Sequence, residues 1–474
     1  MSRVKFLKDY RDRHLDKFKA ISEYLFYHPE LKFKEFQSAE YLMKQCEELG
    51  FKVEGNVAEI ETAFVASYGS GKPVIAILGE YDALPGLYQT PNSASKNDEG
   101  NEVGHGCGHN LLGTGSLMAA TIMVKAYMEE HHLEGTVRYY GCPGEEIGSG
   151  KTFMVRDGSF DDVDFALCWH PSPSNSVMNL SSLANYLVNF HYKGISSHAA
   201  NSPHLGRSAL DAVELMNVGA NYLREHVTED VRYHYALHDV GSSSPSVVQD
   251  SATVQYLIRA KTIDTVHDVY ERIKKIAQGA ALMTETEVEI DFVKGCSNYI
   301  PNTQLGAQLH HSLNEIYEYQ ASRDDEQFAK EIFNSLTDNE RKNKLTSLVG
   351  FGFLDDEEAL EGKYIYDKVS PYKETDHILS GSTDVSDVSW VVPTGQVSCA
   401  TSAIGTPLHT WQMTSQGLSN LAVQGTSNAA MTLAHTAIEL LDNPNLRSQV
   451  QQEFKQFRSK NEYTNPIPKG VLPR

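Results

Sequence analysis

The sequence predicts an α/β protein with a mixed, largely parallel sheet, into which a smaller α+β domain is inserted. In roughly the first 170 residues, short apolar runs bounded by glycine alternate with helical stretches, which is the pattern of strands joined by crossover helices. From about Leu183 the rhythm changes to strands that alternate polar and apolar residues. We therefore expect residues 1–183 and 300–474 to form one domain and residues 184–299 to form the inserted one.

The first domain begins with a helical segment of about 45 residues. Apolar side chains such as Phe18, Ile21 and Leu25 recur there at the three- and four-residue spacing of a helix. Short apolar strands and one longer helix then alternate along the chain. The predicted strands are Thr62–Tyr68, Pro73–Leu78, Thr136–Tyr140 and Asp164–Trp169, and the predicted helix is Leu111–His131.

The inserted domain has elements of its own. Its predicted strands are Tyr186–Tyr192, Ala252–Ala260 and Val288–Val293, and its predicted helices are Arg207–His226 and Val266–Met283. This β-α-β-α-β order is typical of a small ferredoxin-like α+β unit. Further along, the charge-rich segment Glu318–Asp367 predicts surface helix and loop, and Ser415–Leu441 predicts a long helix with little charge.

The composition limits the classes of partner. The chain has 474 residues, with 41 Lys plus Arg against 62 Asp plus Glu, which gives a formal charge of −21. A hydrophobic content of 41% is ordinary for a globular protein and excludes a disordered or collagen-like chain. Nucleic acids and anionic membrane surfaces attract clusters of Lys and Arg, so the acidic excess argues against both as partners.

The sequence indicates a cytoplasmic location. The N-terminus is charged throughout and lacks the apolar core of a signal peptide. No run approaches the ~20 consecutive apolar residues of a membrane-spanning helix. The six cysteines are scattered along a long chain, which fits separately placed thiols in a reducing compartment better than a disulfide framework.

The densest group of metal-competent residues is the segment His105–Asn110, with Cys107 and His109 inside it. These side chains offer sulfur and nitrogen lone pairs, and the glycines between them let the backbone turn tightly enough for both to face one ion. A single buried Cys or His is more often structural. Three such residues at alternate positions, His105, Cys107 and His109, favour a metal site.

Other chemically active groups follow predicted strands. Glu145 and Glu146 lie on a glycine-rich turn directly after one strand, so one can bind a metal while the other accepts a proton from water. Glu80–Pro85 and His170 also stand at strand ends, and His409 lies in a charge-free stretch. Ligands of open α/β sheets bind at the carboxyl ends of the strands, so these groups predict a single site there.

Three other kinds of site account for less of this pattern. A Cys–His nucleophile built on Cys107 leaves the glutamate pair and two other histidines without a role. A structural zinc site is disfavoured because the sequence has no Cys-x-x-Cys pair. A dinucleotide-binding or phosphate-binding loop is not predicted, because no G-x-G-x-x-G or G-x-x-x-x-G-K-S/T motif opens a helix.

Taken together, these motifs resemble the M20 metallopeptidase and amidohydrolase family, in the cysteine-ligand branch that includes aminoacylase-like and auxin-conjugate hydrolases. The resemblance spans nearly the whole chain and keeps the order and spacing of the motifs. The segments that carry it are Tyr27–Leu31, Glu80–Pro85, His105–Asn110, Glu145 with Glu146, His170, Ser197–Ala199, Gly206–Ala209, Gly381–Asp384 and Gly405–Trp411.

The resemblance implies a metal-dependent amidohydrolase with two divalent ions, zinc or manganese. Glu145 would be the general base and acid, and Asp82 would orient a metal ligand from the second shell. The implied metal ligands are Cys107 as the bridge between the ions, with His109, Glu146, His170 and His409 completing their shells.

The inserted domain would then serve as a lid and dimerisation domain. The resemblance implies that His198 reaches across a dimer to stabilise the oxyanion, a type of contact worth roughly 3–4 kcal/mol. The substrate's carboxylate needs a cationic or hydrogen-bonding partner. Arg259, on a predicted lid strand, is the first candidate and Arg207 is the second.

The implied substrate is p-aminobenzoyl-glutamate, or a related N-acyl amino acid or dipeptide. An alternative is a weakly active or non-catalytic subunit that works with a related chain, so a homodimer and a heteromer both remain open. Two positions depart from many relatives. Asn110 stands where many have Asp, and Ser246 stands where many have the Asn that contacts substrate and oxyanion.

Overall fold

The computed structural model describes residues 2–97, 102–354, 360–373 and 375–474. Its strands, in chain order, are β1 (Lys52–Val57), β2 (Ile60–Ser70), β3 (Val74–Glu80), β4 (Gly135–Cys142), β5 (Phe165–Ser172), β6 (Ser176–Val177), β7 (Ser181–Ser182), β8 (Ala184–Lys193), β9 (Arg232–Asp239), β10 (Ser251–Ala260), β11 (Glu287–Cys296), β12 (Ile378–Leu379) and β13 (Thr394–Ala400).

The α-helices are, in the same order, α1 (Arg3–Tyr27), α2 (Phe36–Glu48), α3 (His109–Thr114), α4 (Ile122–His131), α5 (Gly150–Arg156), α6 (Ala209–Leu223), α7 (Ile263–Thr284), α8 (Thr303–Ile316), α9 (Arg323–Ser335), α10 (Asp338–Gly350), α11 (Val385–Val391), α12 (Trp411–Ser415), α13 (Asn420–Asp442) and α14 (Pro444–Arg458). A π-helical segment, Gly115–Thr121, joins α3 to α4. The predicted N-terminal helix is two helices, because the residue before Pro29 disfavours helical backbone and α1 ends at Tyr27.

The central sheet has seven strands in the order β1-β2-β4-β3-β5-β13-β6. Strands β4, β3, β5 and β13 run parallel to one another, and β1, β2 and β6 pair antiparallel at the edges. Every residue of β3 is buried, as expected for a parallel strand covered on both faces. The largely parallel α/β fold is therefore confirmed.

Helices cover both faces of this sheet. On one face α13 packs against α8 and the π-helical segment, and α1 packs against α3. On the other face α5 packs against α11. The stretch His109–His131 is long and apolar enough to cross a membrane, but 89% of its most apolar window is buried inside the fold, as in a core helix.

A second, antiparallel sheet lies between Ala184 and Cys296, with the order β11-β8-β10-β9. Helices α6 and α7 pack against each other and against this sheet, which gives a β-α-β-β-α-β arrangement. The three strands predicted here were one too few. Strand β9 was missed because it is an edge strand in which only Tyr233 is buried, so it lacks an alternating apolar pattern. The boundaries at 184 and 299 stay predictions.

Candidate metal centre

The carboxyl ends of the parallel strands bring the predicted groups to one edge of the central sheet. Strand β3 ends at Glu80, and β4 ends just before Glu145 and Glu146. His170 lies near the end of β5, and the loop that follows β13 carries His409. The topology therefore gathers residues from four separate strand ends.

Glycines shape the loop that carries Cys107 and His109. Gly108 has φ +77°, and a Cβ there would lie 3.0 Å from side-chain atoms of Met413 and Pro171. The carbonyl of Gly106 accepts a 2.8 Å hydrogen bond from the backbone N–H of His409. These contacts place the His409 loop directly over the loop that carries the cysteine.

Two groups of ligand atoms share the Cys107 sulfur, and within each group the atoms lie within 4.8 Å of one another. The first group adds His109 and His170, and the second adds Glu146 and His409. The sulfur lies 3.5 Å from His170 Nε2, and Glu146 Oε2 lies 3.1 Å from His409 Nε2. Donors bound 2.0–2.3 Å from a tetrahedral ion stand roughly 3.3–3.6 Å apart, close to both separations.

Hydrogen bonds orient these ligands from behind. His109 Nδ1 donates to Asp82 Oδ1 at 2.8 Å, and Asp82 Oδ2 accepts the backbone N–H of Glu146 at 2.9 Å. His170 Nδ1 donates to the Pro171 carbonyl at 2.7 Å. In the described part of the chain, the buried atoms His109 Nε2 and Glu146 Oε1 have no hydrogen-bond partner. Buried sulfur, nitrogen and oxygen atoms that include some without a hydrogen-bond partner are suitable ligands for divalent metal ions.

The electrostatics favour positive charge in the pocket. Burial lowers the pKa of His109, but Asp82 and Cys107 outweigh it and raise this pKa well above its usual value. Burial and the nearby Glu146 raise the pKa of the Cys107 thiol well above its usual value. A thiol in such surroundings is a poor nucleophile without a cation beside it, which weakens the thiol-hydrolase alternative.

The adjacent glutamates have opposite tendencies. Burial raises the pKa of Glu145 well above its usual value, and the carboxylates of Glu80 and Glu146 add to the effect. Burial also acts on Glu146, but the hydrogen bond from His409 and the charge of His109 lower its pKa to about 2. One carboxyl group is therefore suited to take up a proton and the other to stay ionised as a ligand.

A buried ion cluster that the sequence did not reveal lies beside the ligands. Lys151 Nζ, fully buried on α5, lies 2.7 Å from Glu80 Oε1 and 2.6 Å from Asp384 Oδ1. Removal of one member of a buried ion pair typically costs about 3–5 kcal/mol of folding stability, because it leaves a buried charge uncompensated. The lysine therefore holds both carboxylates in place. No local motif marks Lys151, because its partners come from distant segments.

Glu35 supports the turn that carries Glu145 and Glu146. Its carboxylate accepts hydrogen bonds from the backbone N–H of Gly144 and from the Thr62 hydroxyl. Burial, with the charge of Asp82, raises the pKa of Glu35 to about 8. This residue was also missed, since only the fold brings it to the turn.

Besides Asp82 and Glu145, three predicted residues lie outside the two ligand groups. His198 is exposed, and its Nδ1 accepts the backbone N–H groups of Ala200 and Asn201. Arg207 pairs with Glu285 at 2.9 Å. Arg259 reaches the Ser380 carbonyl at 3.4 Å in an open groove of about 660 Å³. Their roles stay predictions.

The two departures from the family pattern have different settings. The Asn110 side chain is buried and donates to the Ser22 hydroxyl and the Gly417 carbonyl, which ties the cysteine loop to α1. The Ser246 carbonyl accepts the N–H of Ala199, next to His198. Asn110 thus has a structural role here.

Lys344 is an additional cation near the ligands. It lies on α10, in the segment predicted to be surface helix and loop. Burial lowers the pKa of its ammonium group, and the Cys107 sulfur is close enough to act in the opposite direction. Its position was not predicted, because α10 shows no motif that points to the site.

The chain is similar in sequence to a known protein family and to a known enzyme subunit. Residues 76–334 match peptidase family M20/M25/M40. The chain is 48% identical over 473 residues to one of the subunits of p-aminobenzoyl-glutamate hydrolase from Escherichia coli (strain K12), covering 99% of this chain and 98% of that protein.

Two solved structures are similar in fold. The aminobenzoyl-glutamate utilization protein from Klebsiella pneumoniae superposes with a TM-score of 0.54 at 18% identity, covering 69% of this chain and 91% of that one. A dinuclear metal binding peptidase of the M20 family from Bacillus subtilis superposes with a TM-score of 0.51 at 15% identity, covering 89% of this chain and 99% of that one.

Proposed function

This chain belongs to peptidase family M20/M25/M40 and is a metal-dependent hydrolase of amide bonds, and from that premise we propose that it hydrolyses p-aminobenzoyl-glutamate to p-aminobenzoate and glutamate. The observation that carries the proposal is the pair of ligand groups that share Cys107, with Glu145 beside them. The full-length similarity to a protein named as a p-aminobenzoyl-glutamate hydrolase supports the choice of substrate.

The residues present fit two divalent ions, for which zinc and manganese are our candidates. Cys107 belongs to both ligand groups and would contribute to holding either ion. His109 and His170 would hold one, and Glu146 and His409 the other. When bound, such ions lower the pKa of water toward ~7 and polarise a carbonyl oxygen.

Glu145 would carry the proton during hydrolysis. Its carboxylate would accept a proton from the attacking water and pass it to the leaving nitrogen. The nitrogen must be protonated because an amine anion is a poor leaving group. Asp82 holds His109 at Nδ1 and the backbone of Glu146, so it keeps a ligand from each group in place.

Substrate recognition would involve cations from outside the ligand groups. Arg259 remains the first candidate for the glutamate carboxylate and Arg207 the second, and Lys344 is a third cation, close enough to Cys107 for the sulfur to act on its pKa. His198 is exposed in the single chain and would act on the active site of a second chain, across a dimer in the cytoplasm. The second candidate function is that of a weakly active partner in a heteromer, because the 48% identical relative is itself named as one subunit of its hydrolase.

We expect the purified chain alone, supplied with Zn²⁺ or Mn²⁺, to release p-aminobenzoate from p-aminobenzoyl-glutamate. Release is followed by chromatography, with p-aminobenzoyl-glycine as the control substrate that lacks the side-chain carboxylate. The glycine compound should be hydrolysed more slowly, because it offers one anionic contact fewer. No turnover by the chain alone, with turnover restored by a related chain, would support the alternative of a heteromeric partner instead.

A further inference from the structure

Glu80 has two carboxylate oxygens with different neighbours. The residue ends β3 and is 2% exposed. Its Oε1 lies 2.7 Å from Lys151 Nζ, and its Oε2 lies 3.3 Å from His109 Nε2. Because Lys151 is held from its other side by Asp384, one oxygen of Glu80 is fixed and the other faces a ligand nitrogen.

The contact between Glu80 and His109 is not a hydrogen bond. His109 Nε2 has no hydrogen-bond partner among the described residues, although the carboxylate oxygen is only 3.3 Å away. When Nδ1 keeps the proton that Asp82 accepts, Nε2 presents a lone pair. Two electron-rich atoms at this distance repel unless a positive charge lies between them, which a proton on the imidazole supplies in the metal-free site and a metal ion would supply in its place. Their separation equals the roughly 3.3 Å edge of a tetrahedral site with oxygen and nitrogen ligands.

The charges of the cluster point the same way. Glu80, Lys151 and Asp384 together carry a net charge of −1 when all three are ionised, and all three are buried. An uncompensated negative charge in the interior is costly, so a nearby cation would stabilise the cluster.

We propose that Glu80 is a further ligand of the ion held by His109 and His170, an inference that rests on the proposed function. With Cys107 this ion would have four protein ligands, whereas the ion at Glu146 and His409 would have three. Glu80 is grouped with His109 and Glu145, while Cys107 and His170 form a separate group with the same histidine, so the Glu80 carboxylate would move toward them when the ion binds. Closed four-ligand sites are structural and open three-ligand sites are catalytic. The exposure pattern agrees, because His109 is fully buried and the His409 side chain is 54% exposed.

Glu145 belongs to the same group of atoms as Glu80 and His109, but its situation differs. The Glu145 carboxylate has no hydrogen bond or ion pair among the described residues, whereas Glu80 is held by Lys151. A fixed carboxylate suits ligation and an unrestrained one suits proton transfer. The two acids therefore divide these roles between them.

The test is to count tightly bound Zn²⁺ per chain by equilibrium dialysis at buffered free zinc. We expect two ions on the wild-type protein and one on Glu80→Gln, with the affinity for the other ion lowered at least ~10-fold. Asp387→Asn is the matched control, because it also neutralises a fully buried carboxylate, but one whose hydrogen bonds come from Thr152, Ser297 and Tyr463, and it should keep two ions.

Glu80→Asp keeps the charge beside Lys151 but withdraws the oxygen by one methylene, so it gives a second reading if Glu80→Gln does not fold. Two ions at wild-type affinity on either folded variant would overturn the inference. Equal losses in Glu80→Gln and Asp387→Asn would also overturn it, since the loss of any buried carboxylate in this region would then explain both. Fewer than two ions on the wild-type protein would instead contradict the proposed function.

Discussion

Replacement of Glu145 by Gln is expected to lower kcat by about 10²–10⁴-fold, because general acid–base catalysis contributes this much and an amide cannot accept the proton. Both metal ions should remain bound, since Glu145 is absent from the two groups that share Cys107, and in the third group His109 and Glu80 remain. Steady-state kinetics on p-aminobenzoyl-glutamate and metal analysis of the same sample provide the measurement.

Glu134→Gln is the control for this variant. Glu134 is exposed and precedes β4, at the opposite end of the strand that leads to Glu145, so its replacement should leave kcat unchanged. If Glu145→Gln retained full kcat, or lost its activity together with its metal, the assignment of the proton to this residue would be wrong.

Replacement of Cys107 by Ala is expected to weaken the binding of both ions, because both ligand groups use its sulfur. The loss in affinity should exceed the ~10–100-fold that removal of an outer-shell partner typically causes. Equilibrium dialysis measures it, and turnover should fall with occupancy.

Cys46→Ala is the matched control, since Cys46 is a buried free thiol of α2 in the apolar core. This variant should keep both ions. An inactive Cys107→Ala protein that still bound two ions at wild-type affinity would favour a thiol nucleophile. The same hypothesis predicts activity that survives EDTA and is lost with iodoacetamide.

The sequence was informative where chemistry is local. Cys107 and His109 stand in one short glycine-rich segment, and Glu145 and Glu146 directly follow an apolar strand. A parallel sheet places all such strand ends at one edge, so their convergence follows from the fold class alone. The structure brings the five predicted metal ligands together in this way.

The missed features depend on long-range contacts. Lys151 was not recognised because Glu80 and Asp384, which neutralise it, lie far away in the chain. Glu35 reaches the glutamate turn only through the packing of the fold. Strand β9 escaped detection because an exposed edge strand needs no apolar alternation. The spacing of apolar residues indicates which face of one helix or strand is buried, but it says little about which side chains of other helices or strands that face contacts.

A titration of the metal-free chain with Zn²⁺ or Mn²⁺, in which bound metal and turnover of p-aminobenzoyl-glutamate are followed in parallel, shows whether hydrolysis depends on two bound ions. We predict no turnover before metal is added and full turnover when two ions are bound per chain. Full turnover by the metal-free chain would contradict the account.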